Sequence, residues 1–205
     1  MRAVVLLLCL CLAPMGLVNA QDLALSLVGD VQKAYSWSRL KIADLLDEKQ
    51  RLEESPIWGG EVRAGWLANV ENRFYLGVEL AHQRRGLKYY GAFAEYNFTP
   101  AINRYLRAIV GAGVGYSFAT LASENVTISG QNPGNLSFKG PSYFAKVGAL
   151  LSVSRRVELE LFAKGKQMIL GEDSGRIDIG MPLPVTLNLD KTFTISGGIG
   201  LNFRF

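Results

Sequence analysis

The sequence has two cysteines, Cys9 and Cys11, and none beyond them. Disulfide stapling of the body of the chain and any metal site of cysteine type are therefore excluded. After the N-terminal block there is no run of about 18 apolar residues, which argues against a membrane protein built from helices. A single histidine, His82, leaves little material for imidazole chemistry. Charge of one sign is also scarce: the net value is +4, from 22 basic and 18 acidic residues. The two signs are interspersed along the chain, so the basic footprint of a nucleic-acid partner is missing. Glycines recur at 111, 113 and 115, but alternation continues through them and no helix follows, so they do not make a phosphate-cradling loop. No cofactor is expected.

What the sequence does have is alternation. In its last stretch Phe193, Ile195, Gly197, Ile199, Leu201, Phe203 and Phe205 share one parity, and Thr194, Ser196, Gly198, Gly200, Asn202 and Arg204 share the other. This is the period-two signature of a strand with one apolar face. Such a strand has to be covered on that face and paired along both edges.

The same pattern recurs upstream, in stretches near 22–30, 57–69, 73–83, 87–99, 104–118, 141–154 and 157–169. Each puts Leu, Val, Ala and aromatic residues on one side and its charges on the other. Inward charges are Glu61, Arg63, Glu79, Glu95, Arg107, Lys146, Glu160 and Lys164. A water-soluble barrel would bury the apolar side and expose the charges; reversed sidedness fits a barrel surrounded by lipid. Buried carboxylates need opposite charges, so these residues are expected to form an interior ion-pair network.

The aromatic residues fall toward the strand ends. Trp58 and Trp66 are eight residues apart, about 20 Å along the normal of a tilted strand. One expected interfacial belt holds Trp58, Tyr90, Tyr116, Tyr143 and Phe193. The other holds Trp66, Phe74, Tyr96, Phe98, Phe203 and Phe205.

About eight strands result, joined by connections that alternate long and short. Short turns near residues 70, 101 and 155 fall at one end, and the three long connections at the other, together with the brief hairpin Arg84-Arg85-Gly86. Bacterial outer-membrane barrels have this asymmetry, with short turns in the periplasm and longer loops outside. The first long connection contains residues 39–54, where Ser38 offers an N-cap and Ile42, Leu45 and Leu46 fall near one helical face; a short amphipathic helix is predicted there.

At the other terminus, Met1-Arg2 precedes the apolar block Ala3 to Leu12, and Val18 and Ala20 sit where a signal peptidase reads small residues. Residues 1–20 are predicted to be a cleaved signal peptide and 21–205 the barrel domain. Both cysteines lie in the segment to be removed.

Signal peptide, alternating strands, inner Glu/Arg/Lys residues, aromatic belts and a closing Gly200-x-x-Phe203-x-Phe205 together resemble the small bacterial outer-membrane β-barrel family, porin-like proteins that include the OmpA membrane domain and opacity-type surface proteins. The resemblance covers residues 21–205. It implies an all-β, eight-stranded antiparallel up-and-down transmembrane barrel in the outer membrane. It also implies that Gly200, Phe203 and Phe205 carry the signal for the barrel-assembly machinery. The resemblance is to the membrane domain alone and no periplasmic peptidoglycan-binding domain is expected, so cell-wall anchoring is not implied.

Function is less specific. The leading expectation is a structural scaffold whose outer loops meet lipopolysaccharide, the environment or a host ligand, with outer-membrane lipid as its surroundings. Arg84 and Arg85 would supply the contact to lipopolysaccharide phosphates. An eight-stranded barrel encloses only enough room for its own side chains, which disfavours a wide pore; the alternative is a narrow gated conductance, opened by rearrangement of the expected ion pairs. A lipid-modifying enzyme would need a partner for His82, and the adjacent Gln83, Arg84 and Arg85 supply neither nucleophile nor carboxylate. The chain is therefore expected not to be an enzyme.

Overall fold

Alternating side chains satisfy one face each, but the backbone of every strand still needs two neighbours, and a closed sheet provides them. The computed structural model describes residues 23–42, 46–51, 56–82, 87–121, 136–178 and 182–205. Its strands are β1 (Leu23–Ile42), β2 (Leu46–Arg51), β3 (Pro56–Leu67), β4 (Asn72–His82), β5 (Leu87–Phe98), β6 (Leu106–Leu121), β7 (Leu136–Ser152), β8 (Val157–Met168), β9 (Glu172–Asp178) and β10 (Pro182–Arg204). Successive strands β3 to β8 pair in chain order, β8 pairs with β10, and β10 returns to β1. All these pairings are antiparallel. The closing register runs from Ala24 opposite Arg204 to Ile42 opposite Val185.

The barrel proper has eight strands: β1, β3 to β8, and β10. The remaining two strands lie at the long-connection end. There β2 pairs with Trp37–Ile42 of β1, and β9 pairs with Pro182–Asn188 of β10. The seam strands thus continue beyond the barrel as a four-stranded extension in the order β2-β1-β10-β9.

This extension corrects the predicted helix at 39–54. Its described residues are the end of β1 and the whole of β2. Spacing of Ile42, Leu45 and Leu46 is a weak local preference, whereas the edge of β10 offers a ladder of unpaired backbone groups reaching to Ile42. The other two long connections likewise contain strand: β6 runs to Leu121, β7 starts at Leu136, and β9 and the first part of β10 fill most of the last connection.

The three short turns use one device. In each, a single side-chain oxygen accepts two backbone N–H groups: Asn69 Oδ1 from Glu71 and Asn72, Asn103 Oδ1 from Tyr105 and Leu106, and Ser154 Oγ from Arg156 and Val157. Asn and Ser are the residues that close such turns through their own side chains.

Burial is inverted relative to a water-soluble protein. Trp58 is 70% exposed, Leu80 67% and Val114 65%, while Arg63 is 0% exposed, Lys146 2% and Glu61 4%. Along β7 the buried residues are those of even number, from Leu136 to Lys146, and the exposed ones are their odd neighbours. The apolar faces form the outside, and the lumen is the core.

Candidate functional site

The lumen is packed in tiers from the short-turn end upward. At the bottom the Arg73 guanidinium grips Glu158 with two hydrogen bonds of 2.5 and 3.1 Å, and Arg204 approaches the same carboxylate at 3.6 Å. Above this, Arg63 is the hub. Its Nη2 donates to Glu160 at 2.7 Å and to Ser26 Oγ at 2.7 Å, and its Nη1 lies 3.3 Å from Glu95. Lys146 bridges the same two acids, donating to Glu160 at 3.0 Å and to Glu95. Asn202 and Asn97 each donate one further bond, to Glu160 and Glu95 respectively.

In the next tier Lys164 donates to Glu61 and lies 3.9 Å from Glu79, while Lys166 donates to Glu79 and to Ser117 Oγ. Asp30 accepts from Gln32, whose carbonyl accepts from the Tyr89 hydroxyl. Gly59 stands opposite Asp30 on the neighbouring strand, and a Cβ there would collide with the Asp30 carboxylate. In the same way Gly113 leaves space for the Phe144 ring. These inward glycines let large side chains from other strands fill the lumen.

The tiers combine contacts between neighbouring strands, such as Lys146 with Glu160 and Arg63 with Ser26, with contacts across the barrel, such as Arg63 with Glu160 and Lys164 with Glu61. Glu61 stands directly opposite Glu79 on the neighbouring strand, and Lys146 directly opposite Lys164. Like charges so placed repel. Glu61 and Glu79 are neutralised by Lys164 and Lys166 of β8 across the lumen, and Lys146 by Glu95 of β5 and Glu160 of β8.

The topmost tier is apolar. Ile57, Ala81, Tyr89, Ala119, Leu136, Phe138, Met168, Leu170, Leu187 and Leu189 form one buried cluster over the charges. Leu187 and Leu189 reach it through a register shift between Trp37 and Arg39, where β10 carries an extra residue. Below this shift the odd residues of β10, such as Phe193 and Ile195, face outward; above it Leu187 and Leu189 are buried. One bulge changes which face a parity occupies.

Of the residues expected in the interior network, Glu61, Arg63, Glu79, Glu95, Lys146, Glu160 and Lys164 are joined in it. Arg107 is not brought into it. It is half-buried at the short-turn rim, where its Nε donates to the Thr99 carbonyl at 3.0 Å. Sequence reasoning missed Arg73, Glu158 and Lys166 as members; all three had the inward parity of their strands, which was the available signal.

Outside, Trp66 stacks on Phe74 at 4.6 Å between ring centres and Phe74 contacts Tyr96 at 5.1 Å, near the short turns. Toward the other end Tyr90 stacks on Phe118, which meets Tyr116 edge-on. Trp58, Tyr143 and Phe193 are exposed on the same exterior, and so is Phe205. Phe203 is half-buried and faces Leu25 and Val157 in register, while Gly200 is buried on the lumen side. His82 is exposed beside Trp58 and Lys88 in register, with no nucleophile or carboxylate bonded to it among the described residues. Arg84, Arg85 and the predicted signal peptide lie outside the described residues.

An eight-stranded closed antiparallel barrel with apolar residues outside and a polar, filled interior defines the small transmembrane barrels of the outer-membrane type. Solved structures that share the fold include the following two. Outer membrane protein OprG from Pseudomonas aeruginosa is 10% identical over 91% of this chain and 98% of that one, with a TM-score of 0.60. Neisserial surface protein A is 12% identical over 89% of this chain and 99% of that one, with a TM-score of 0.54. No family model and no curated protein matches the sequence. At these identities the likeness is one of fold.

Proposed function

We propose that the mature protein is a bacterial outer-membrane scaffold that holds its long connections and the β2-β1-β10-β9 extension at the cell surface. The observation that carries this reading is the lumen: ion pairs fill it and an apolar cluster covers them. Among the described residues a barrel so filled leaves its own side chains where a water path would run, and its free surfaces are its two ends and its lipid-facing wall. Its individuality would then reside in the long connections, including the contact of Arg84 and Arg85 with lipopolysaccharide phosphates. In this reading residues 1–20 are removed on export, the two aromatic groups sit at the membrane interfaces, and Gly200, Phe203 and Phe205 present the terminal strand to the assembly machinery.

The mature chain would have no cysteine, so placement is testable with single introduced thiols. Ser137 is exposed at the long-connection end and Val70 at the short-turn end. A membrane-impermeant maleimide is expected to label Ser137→Cys on intact cells, and to label Val70→Cys only after the outer membrane is permeabilised. Labelling of Val70→Cys alone on intact cells would invert the proposed orientation, and equal labelling of both would reject it.

A further inference from the structure

The short-turn rim carries charge that the lumen does not use. Arg104, Arg155 and Arg156 are exposed, Arg107 is half-buried, and none of the four makes an ion pair among the described residues. Arg204 is nearby, sharing the Glu158 carboxylate with Arg73.

The backbone ties these arginines into one arc. Ser152 N donates to the Tyr105 carbonyl at 2.8 Å, which joins the β5–β6 turn to the β7–β8 turn, and Arg204 N donates to the Arg156 carbonyl at 2.8 Å. The arc therefore runs over the ends of β6, β7, β8 and β10. The exposed acid among the described turn residues, Glu71, lies in the β3–β4 turn on the Arg107 side of the arc, where its carbonyl accepts from Thr99 N, and it forms no ion pair with the rim arginines among the described residues.

Exposed apolar side chains accompany the arginines. Ile102, Tyr105, Val153 and Phe205 are 63%, 58%, 65% and 60% exposed. They interleave with Arg104, Arg155 and Arg204 in the chain. A soluble anion would need only the cations; a lipid offers a phosphate to the arginines and acyl chain to their apolar neighbours.

We propose that this arc is a binding surface for anionic phospholipid headgroups of the leaflet at the short-turn end. The inference rests on the membrane placement proposed above. Guanidinium groups pair with phosphate oxygens through two parallel donors, a geometry lysine does not reproduce. The arc thus orients the barrel and selects the lipids that surround one side of it.

The test uses the full mature protein in phosphatidylcholine vesicles containing trace spin-labelled phosphatidylglycerol or spin-labelled phosphatidylcholine. Spectra report the motionally restricted fraction of each label. A restricted fraction with the phosphatidylcholine label shows that the barrel is in the bilayer; its absence refutes the membrane placement itself. Selectivity then tests the arc. Phosphatidylglycerol is expected to be preferred roughly fivefold, the ratio for about one charge contact of this kind. The preference should fall to near unity in Arg104→Gln/Arg155→Gln/Arg156→Gln and persist in Lys139→Gln at the other end of β7. Soluble glycerol phosphate should not abolish it. Equal restriction of both labels in the wild type, an unchanged ratio in the triple variant, or displacement by glycerol phosphate would overturn the proposal. Should the triple variant not fold, 1 M salt applied to the wild type gives the same decision, because screening then acts within about 3 Å; a ratio unmoved by salt would overturn it.

Discussion

Replacing Arg63 with alanine is expected to lower the unfolding free energy of the barrel by about 3–5 kcal/mol, the cost of leaving a buried charge without its partner. Arg63 is completely buried, at hydrogen-bond distance from Glu160 and 3.3 Å from Glu95. Its removal leaves Lys146 as the cation bonded to both carboxylates. The double variant Arg63→Met/Glu160→Gln removes one charge of each sign and leaves Lys146 with Glu95, so it should recover more than half of the loss. Urea titration of the refolded protein, followed by tryptophan fluorescence, measures both. A loss below about 1 kcal/mol in Arg63→Ala would match a solvent-exposed pair and contradict the closed interior.

The apolar tier is the second sensitive place. Met168 and Leu189 are fully buried in it. Met168→Ala and Leu189→Ala should each cost about 2–5 kcal/mol, since a cavity adds to the lost transfer energy. Leu201, on the exterior at 42% exposure, provides the contrast. Lipid can occupy the space vacated in Leu201→Ala, so its loss should be clearly smaller. Equal losses at Leu189 and Leu201 would mean that the upper lumen is not packed.

These two expectations differ in how far the sequence announces them. Period-two alternation is a property of a single strand, so it assigns Glu61, Arg63, Glu95 and Lys146 to the lumen without knowledge of their neighbours. Pairing is a property of the closed barrel. Lys164 meets Glu61, and Arg73 meets Glu158, across the lumen from strands far apart in the chain. Strand stagger and closure decide those meetings, and neither is written locally. Arg107 illustrates the difference: its parity is inward, yet it lies at the rim and bonds a carbonyl.

The apolar tier was harder still to read. Pro182, Pro184 and the surrounding glycines and charges have the composition of a loop, but β10 already runs through them, against β9 from Pro182 and against β1 from Val185. The register shift at Trp37 and Arg39 then reverses the parity rule, so that extrapolating the alternation of the closing strand upward would put Leu187 and Leu189 outside. Residues 39–54 failed for a related reason. Their helical spacing is real, but β1 has a strand partner available along its whole length, and that tertiary pairing outweighs a marginal local preference.

The closing strand is thus more than a seal. Its lower part has apolar residues for the exterior and Gly198, Gly200 and Asn202 for the lumen, where Asn202 bonds Glu160. Its upper part turns two leucines inward to cover the charges. The same strand closes the wall and helps close the lumen.

Planar-bilayer recording of the purified, refolded wild-type protein tests the filled lumen most directly. A barrel sealed by cross-lumen ion pairs and an apolar cover should insert without producing stable single-channel steps. Long-lived open conductance in the wild type, with uniform step size across insertions, would contradict it.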